Sequence, residues 1–217
     1  MFPMKILLAI FFTLGLVFAR AQSPVTPEPM ANVAFFNATG AEKPLFLDWS
    51  GQNAFPDGLA SGRSMGPLLI PATNAQLEAK IEGYLPVKGT LKLSPGGQEV
   101  LIFWAGPPEA DKGAGDAKRR LRIMQLPPPP SAGGDAKDLE WPVVLVGLAE
   151  SAEITVNGQK VLLRRGKPTI VAKGQKFVQL KQGDRELAAV SVEGPSDYIF
   201  VVYGDKANDL SAGVIYR

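Results

Sequence analysis

The sequence predicts an all-β protein in which one small domain is written twice. Three observations carry this. The stretch Gln-Glu-Val-Leu-Ile-Phe-Trp-Ala-Gly, ending at Gly106, is a continuous apolar run entered through the turn Ser94-Pro95-Gly96-Gly97. A run of this length between turn residues suits a strand buried on both faces. It recurs as Asp-Tyr-Ile-Phe-Val-Val-Tyr-Gly, ending at Gly204, 98 residues later. Finally, no segment holds a 3.6-residue apolar period, so helix is not expected.

Other offsets repeat the pattern. Val33 and Val143 lie 110 apart, as do Phe35 and Leu145, and Gly51 and Gly158 lie 107 apart. Each copy carries about seven short strands with regular turns, the pattern of an immunoglobulin-like β-sandwich. The expected fold is two tandem immunoglobulin-like antiparallel β-sandwich domains joined by a Pro/Gly-rich linker.

Residues 1–21 read as a secretory signal peptide. Lys5 gives a positive start, 6–18 is an apolar core, and Ala19-Arg20-Ala21 is a small-x-small cleavage site. The core is too short for a membrane span. Without Lys5 and Arg20 the chain carries 21 basic and 21 acidic residues, so a net attraction to nucleic acid or to an anionic membrane is not expected. The absence of Cys from an exported chain favours a bacterial, periplasmic or secreted setting in which core packing alone holds the fold. Asn37-Ala38-Thr39 matches a glycosylation acceptor, which has no consequence in a bacterial protein.

Residues 22–31, with three Pro, form a flexible leader. The first domain spans 32–126. Val33 to Phe36 is a strand, and Leu45, Leu47 and Trp49 alternate with Phe46 and Asp48 in a second. Residues 53–66 read as loop, with a short crossing element around Phe55 and Leu59, and 68–70 as a short strand. In 76–82, Leu77, Ala79 and Ile81 alternate with Gln76, Glu78, Lys80 and Glu82, a half-solvated strand that is taken here as an edge. Residues 90–93 and 99–105 supply strands, 107–118 a loop, and 120–126 the last strand. Four consecutive Pro at 127–130 cannot donate to a ladder, so 127–140 is the linker.

The second domain, 141–217, opens with a strand over 143–148. Ile154-Thr155-Val156 runs into Asn157-Gly158, the strongest hairpin signal in the chain, with its partner at 159–164. Strands follow at 168–172, 176–180, 185–192, 198–203 and 213–217.

His is absent along with Cys, which removes Ser-His-Asp and Cys-His catalysis and the usual zinc sets. Asp48, Asp57, Glu78 and Glu82 are the carboxylates of the first domain expected nearest one another, and they read as solvated charges. Asp111, Asp116, Asp135 and Asp138 stand singly in loops, without a calcium-loop spacing. No catalytic residue, cofactor or metal is therefore assigned. Trp49 and Trp104 are expected in the core and Trp141 at the seam between domains. Lys118, Arg119, Arg120 and Arg122 read as a solvated basic side of a strand.

The order of motifs is similar to that of one family. Phe35-Phe36-Asn37-Ala38-Thr39 is followed by Gly58-Leu59-Ala60-Ser61-Gly62, a strand turning at Pro71-Ala72, the turn Leu91-Lys92-Leu93-Ser94-Pro95-Gly96-Gly97, and the buried run to Gly106. This resembles the AlgF-type alginate O-acetylation accessory proteins, best over 32–126. In the second domain Gly147-Leu148-Ala149 stands in place of the Asn-Ala-Thr strand end. The resemblance implies a periplasmic, non-catalytic accessory or adaptor protein in O-acetylation of an exported or cell-envelope polysaccharide. Its implied partners are an envelope acyltransferase and the polysaccharide. Glu78, Lys80 and Glu82 are the candidate partner-binding residues. A carbohydrate- or cell-wall-binding module and a carboxylate-based hydrolase are the alternatives.

Overall fold

The computed structural model describes residues 28–72, 74–109, 117–126, 140–191 and 198–216. The expected signal peptide, residues 22–27, the linker over 127–139 and the four loop aspartates lie outside the described residues. The described chain is all strand and turn. Its first half forms β1 (Met30–Asn37), β2 (Phe46–Trp49), β3 (Gln52–Asn53), β4 (Ser64–Pro71), β5 (Ala75–Lys80), β6 (Val87–Leu91), β7 (Gln98–Glu109) and β8 (Lys118–Leu126). The second half forms β9 (Glu140–Gly147), β10 (Ser151–Val156), β11 (Gln159–Arg164), β12 (Thr169–Lys173), β13 (Phe177–Gln182), β14 (Arg185–Ser191), β15 (Tyr198–Lys206) and β16 (Asp209–Tyr216).

These make four sheets in two sandwiches. The first pairs β4-β1-β7-β8 with β3-β2-β5-β6, and the second pairs β12-β9-β15-β16 with β11-β10-β13-β14. The strand orders correspond one to one. Each inner sheet is mixed: β1 runs parallel to β7, and β9 parallel to β15, with all other ladders antiparallel. Register fixes the equivalences. Asn37 opposes Phe103 and Gly147 opposes Gly204, so Asn37 corresponds to Gly147. Gly204 stands where Phe103 does, three residues from the Gly106 that the apolar runs suggested. The turns Ser50-Gly51 and Asn157-Gly158 also correspond. All four residues have positive φ (51°, 83°, 46° and 87°), the two-residue hairpin geometry that matches strand twist.

Alternation along the central strands sends side chains to two different cores. From β1, Val33 and Phe35 enter the first sandwich with Leu47, Trp49, Leu77 and Leu101. From β9, Trp141, Val143 and Leu145 enter the second with Ile154, Leu180 and Phe200. The opposite faces meet in a third core, where Ala34, Phe36, Val100 and Ile102 pack against Val144, Val146, Ile199, Val201 and Ile215. The molecule is thus four stacked layers. The continuous apolar runs belong to inner sheets covered on both sides, as strands covered on both faces require.

Several elements differ from the sequence reading. β4 begins at Ser64, inside the 53–66 stretch that reads as loop, and carries Gly66 and Pro67 along an exposed strand before the expected 68–70. β7 runs on through Pro107 and Pro108 to Glu109, with a bulge between Ala105 and Pro108 that accommodates residues unable to donate. The edge assignment for 76–82 is overturned. β5 is bonded to β2 on one side and β6 on the other, so its alternation reports a solvated face and not a free edge. Trp141 is fully buried in the core of the second sandwich, stacked on Tyr198 at 5.4 Å, and not at the seam. Trp104 is only partly buried and lies against the seam core, with the Arg122 guanidinium 6.0 Å from its ring.

Candidate functional site

The solvent face of the outer sheet β3-β2-β5-β6 gathers the sequence-predicted polar residues. Strand alternation buries Leu47 and Trp49 and turns Phe46 and Asp48 outward. Ladder register then sets cross-strand rows: Phe46 opposite Lys80; Asp48, Glu78 and Lys88 in line; Gln76 opposite Thr90. An open groove of about 420 Å³ is lined by Asp48, Ser50, Gly51, Gln76, Glu78, Lys88, Gly89 and Thr90.

Charges in this groove are matched. Glu78 accepts from Lys88 at 3.0 Å and from Lys80 at 3.1 Å. The Lys88 hydrogen bond, above all, holds its carboxyl below the usual range, against an opposing push from desolvation; Lys80 adds to the lowering. Asp48 accepts the Gly51 N–H at 2.8 Å and so fixes the β2–β3 turn. A carboxylate hydrolase needs one acid kept protonated, and Glu78 is shifted in the opposite direction. The face offers ionised acceptors, ammonium donors, an amide and hydroxyls, which is chemistry for binding.

Of the predicted partner residues, Glu78 and Lys80 are brought together. Glu82 sits in the turn beyond β5 and pairs with Lys43 at 3.7 Å, both well exposed. Asp57 lies in a separate exposed turn. The basic cluster is also neutralised in good part. Arg120 and Arg122 bind Glu109 at 2.7 and 3.1 Å. Arg119 donates to the carbonyls of Ala105 and Gly106 at the β7 bulge and forms a two-pronged pair with Asp205 of β15, at 2.7 and 2.8 Å. It joins the two sandwiches, a role no local sequence signal announces.

A second constellation is the corner after β1. Asn37 is fully buried. Its Nδ2 donates to the Leu59 carbonyl at 2.7 Å, and its Oδ1 accepts from the Thr39 N–H and hydroxyl at 3.1 and 2.6 Å. Gly62 N–H donates to the Asn37 carbonyl, and Gly40 N–H to the Ser61 hydroxyl. The two motifs Phe35–Thr39 and Gly58–Gly62 are therefore one hydrogen-bonded unit, and the amide of the glycosylation-like triplet is used inside it. Tyr203 of the second sandwich packs on Phe36 at 5.9 Å. Burial pushes its hydroxyl above the usual phenol range, against hydrogen bonds with Ser61 and Ser211 that act the other way.

Among the described residues no group of three or more Asp, Glu, His or Cys could hold a metal ion. The chain matches no model of a known protein family and no curated protein.

Proposed function

We propose that the protein is an exported, non-catalytic accessory protein in O-acetylation of a cell-envelope or exported polysaccharide, with an envelope acyltransferase as its partner. The observation that carries this reading is the corner at Asn37. Two of the motifs on which the resemblance to the AlgF-type proteins rests, Phe35–Thr39 and Gly58–Gly62, converge there in one hydrogen-bonded network, so these two act as a structural unit and not as scattered turn residues. The lowered carboxyl of Glu78 adds support, because it suits an ion-pairing role and not a proton donor. The exposed Lys80 and Glu82, at the end of β5 and the turn beyond, are the contact points proposed for the partner. They act as part of a charged face, in place of the free edge first expected.

Capture tests this reading. The mature chain, immobilised, is expected to retain an envelope acyltransferase from the same cells. Lys80→Glu and Glu82→Lys should weaken retention several-fold while changing stability by less than about 0.5 kcal/mol, as exposed substitutions do. Acyl transfer or hydrolysis by the purified protein alone, abolished by Glu78→Gln, would replace this reading with the hydrolase.

A further inference from the structure

We propose that the outer face of the first sandwich binds an uncharged, hydroxyl-rich saccharide segment laid along the groove, with Phe46, which stands beside the groove on the same face, as its stacking platform. Phe46 holds an outward position on β2 and is 40% exposed. It lies two residues from Asp48, about 7 Å along the strand, a distance on the scale of one sugar residue. The ring is backed from behind. A Cβ at Gly58 would come within 3.3 Å of the Phe46 ring and 2.7 Å of the Pro44 Cβ, so only the bare backbone of Gly58 fits beneath it. Trp49 and Trp141, the larger aromatics, are buried in the two cores. Phe46 is the exposed ring that shares a face with the groove.

Polar groups extend from that ring along the face in successive rows, Lys80 opposite it, then Asp48 with Glu78, then Gln76 with Thr90. Gln76 and Thr90 face each other across β5 and β6, and Asp48 and Glu78 across β2 and β5. Amide, hydroxyl and paired carboxylate oxygens are the groups that fix the orientation of a hydroxylated ligand. Asp48 and Glu78 are balanced by Lys80 and Lys88, so the face carries no net charge and does not favour a polyanion. The site deepens the accessory reading by naming a polymer class, and it rests on that reading only for its biological setting.

Affinity electrophoresis of the mature chain through native gels cast with β-glucan, mannan, galactan or dextran, and with a polyuronate, tests the site. At least one neutral polymer is expected to retard the protein. Phe46→Ala and Gln76→Ala should each weaken that retardation about tenfold. Phe46→Leu, which keeps apolar volume without a ring, should act like Phe46→Ala and serves if the alanine variant fails to fold. No retardation in any gel, retardation by the polyuronate alone, or retardation unchanged in the variants would each overturn the proposal. Acyltransferase capture is read separately. Capture without saccharide binding sinks this site alone, and saccharide binding without capture sinks the adaptor reading alone.

Discussion

The corner after β1 and the corner after β9 occupy the same place in the two sandwiches and are built by opposite means. In the first, Asn37 fills the site with a buried amide that fastens two loop segments. In the second, Gly147 takes φ of 108°, and the carbonyl of Gly204 sits where its side chain would start. One corner is closed by a side chain, the other by backbone approaching backbone. The difference teaches that the repeat preserves strand order and register while its corners are free to diverge, and that the Asn-Ala-Thr signature marks a loop attachment that the second sandwich does without. Tyr203, from the strand next to Gly147, reaches into the first corner and packs on Phe36.

The largest expected effect comes from breaking the seam unevenly. Phe36→Ala should lower stability by about 3–5 kcal/mol, since the ring is fully buried and meets Tyr203 and Gly213 of the other sandwich. Its counterpart Val146→Ala should remove only about 2 kcal/mol. Urea unfolding of both measures the ratio, and equal losses would show the seam to be symmetric after all.

Next are the corners themselves. Asn37→Ala strands the Thr39 N–H and removes one of the two donors to the Leu59 carbonyl, which keeps the Leu45 N–H, and should lower stability by about 1–3 kcal/mol. Gly147→Ala brings a Cβ against the Gly204 backbone at a φ that favours glycine, for a loss of about 2 kcal/mol or more. Thermal unfolding separates them: a neutral Gly147→Ala would mean that the second corner can relax.

Smaller still is the link between Arg119 and Asp205. A double-mutant cycle with Arg119→Ala and Asp205→Ala should give a coupling of about 1 kcal/mol or less, because Asp205 is half exposed. The smallest effect belongs to Tyr203, and only in alkali. Its folded pKa lies above the ordinary 10.0, so the folded state keeps the proton longer than the unfolded one. The resulting stabilisation is complete below pH 10 and falls as pH rises from there through the folded value. Tyr203→Phe should flatten that decline in a pH series of unfolding midpoints.

Much of this architecture was legible. Alternation in Leu45 to Trp49 and Leu77 to Ile81 reported buried faces correctly, because a strand's side chains must divide between two sides. The runs through Ile102 and Val201 reported burial on both sides, though not by what. The same alternation misled on edges: it records which face is wet and carries nothing about lateral hydrogen bonding, so β5 looked like an edge while lying between two strands. On the outer face, Asp48 and Glu78 were named together, but Phe46 passed as the odd member of an alternating strand. An aromatic in the outward phase of β2 was the signal that could have found it. Arg119 was hidden because its partner lies 86 residues away.

The third core has a consequence for reach. Sheets packed face to face sit about 10 Å apart, so three successive gaps hold the two outermost sheets roughly 30 Å from one another. Among the described residues, apolar side chains fill the middle gap as a packed core. Each far surface is thereby held about three sheet spacings from the other, so a molecule seated on one half stands well clear of a molecule seated on the other.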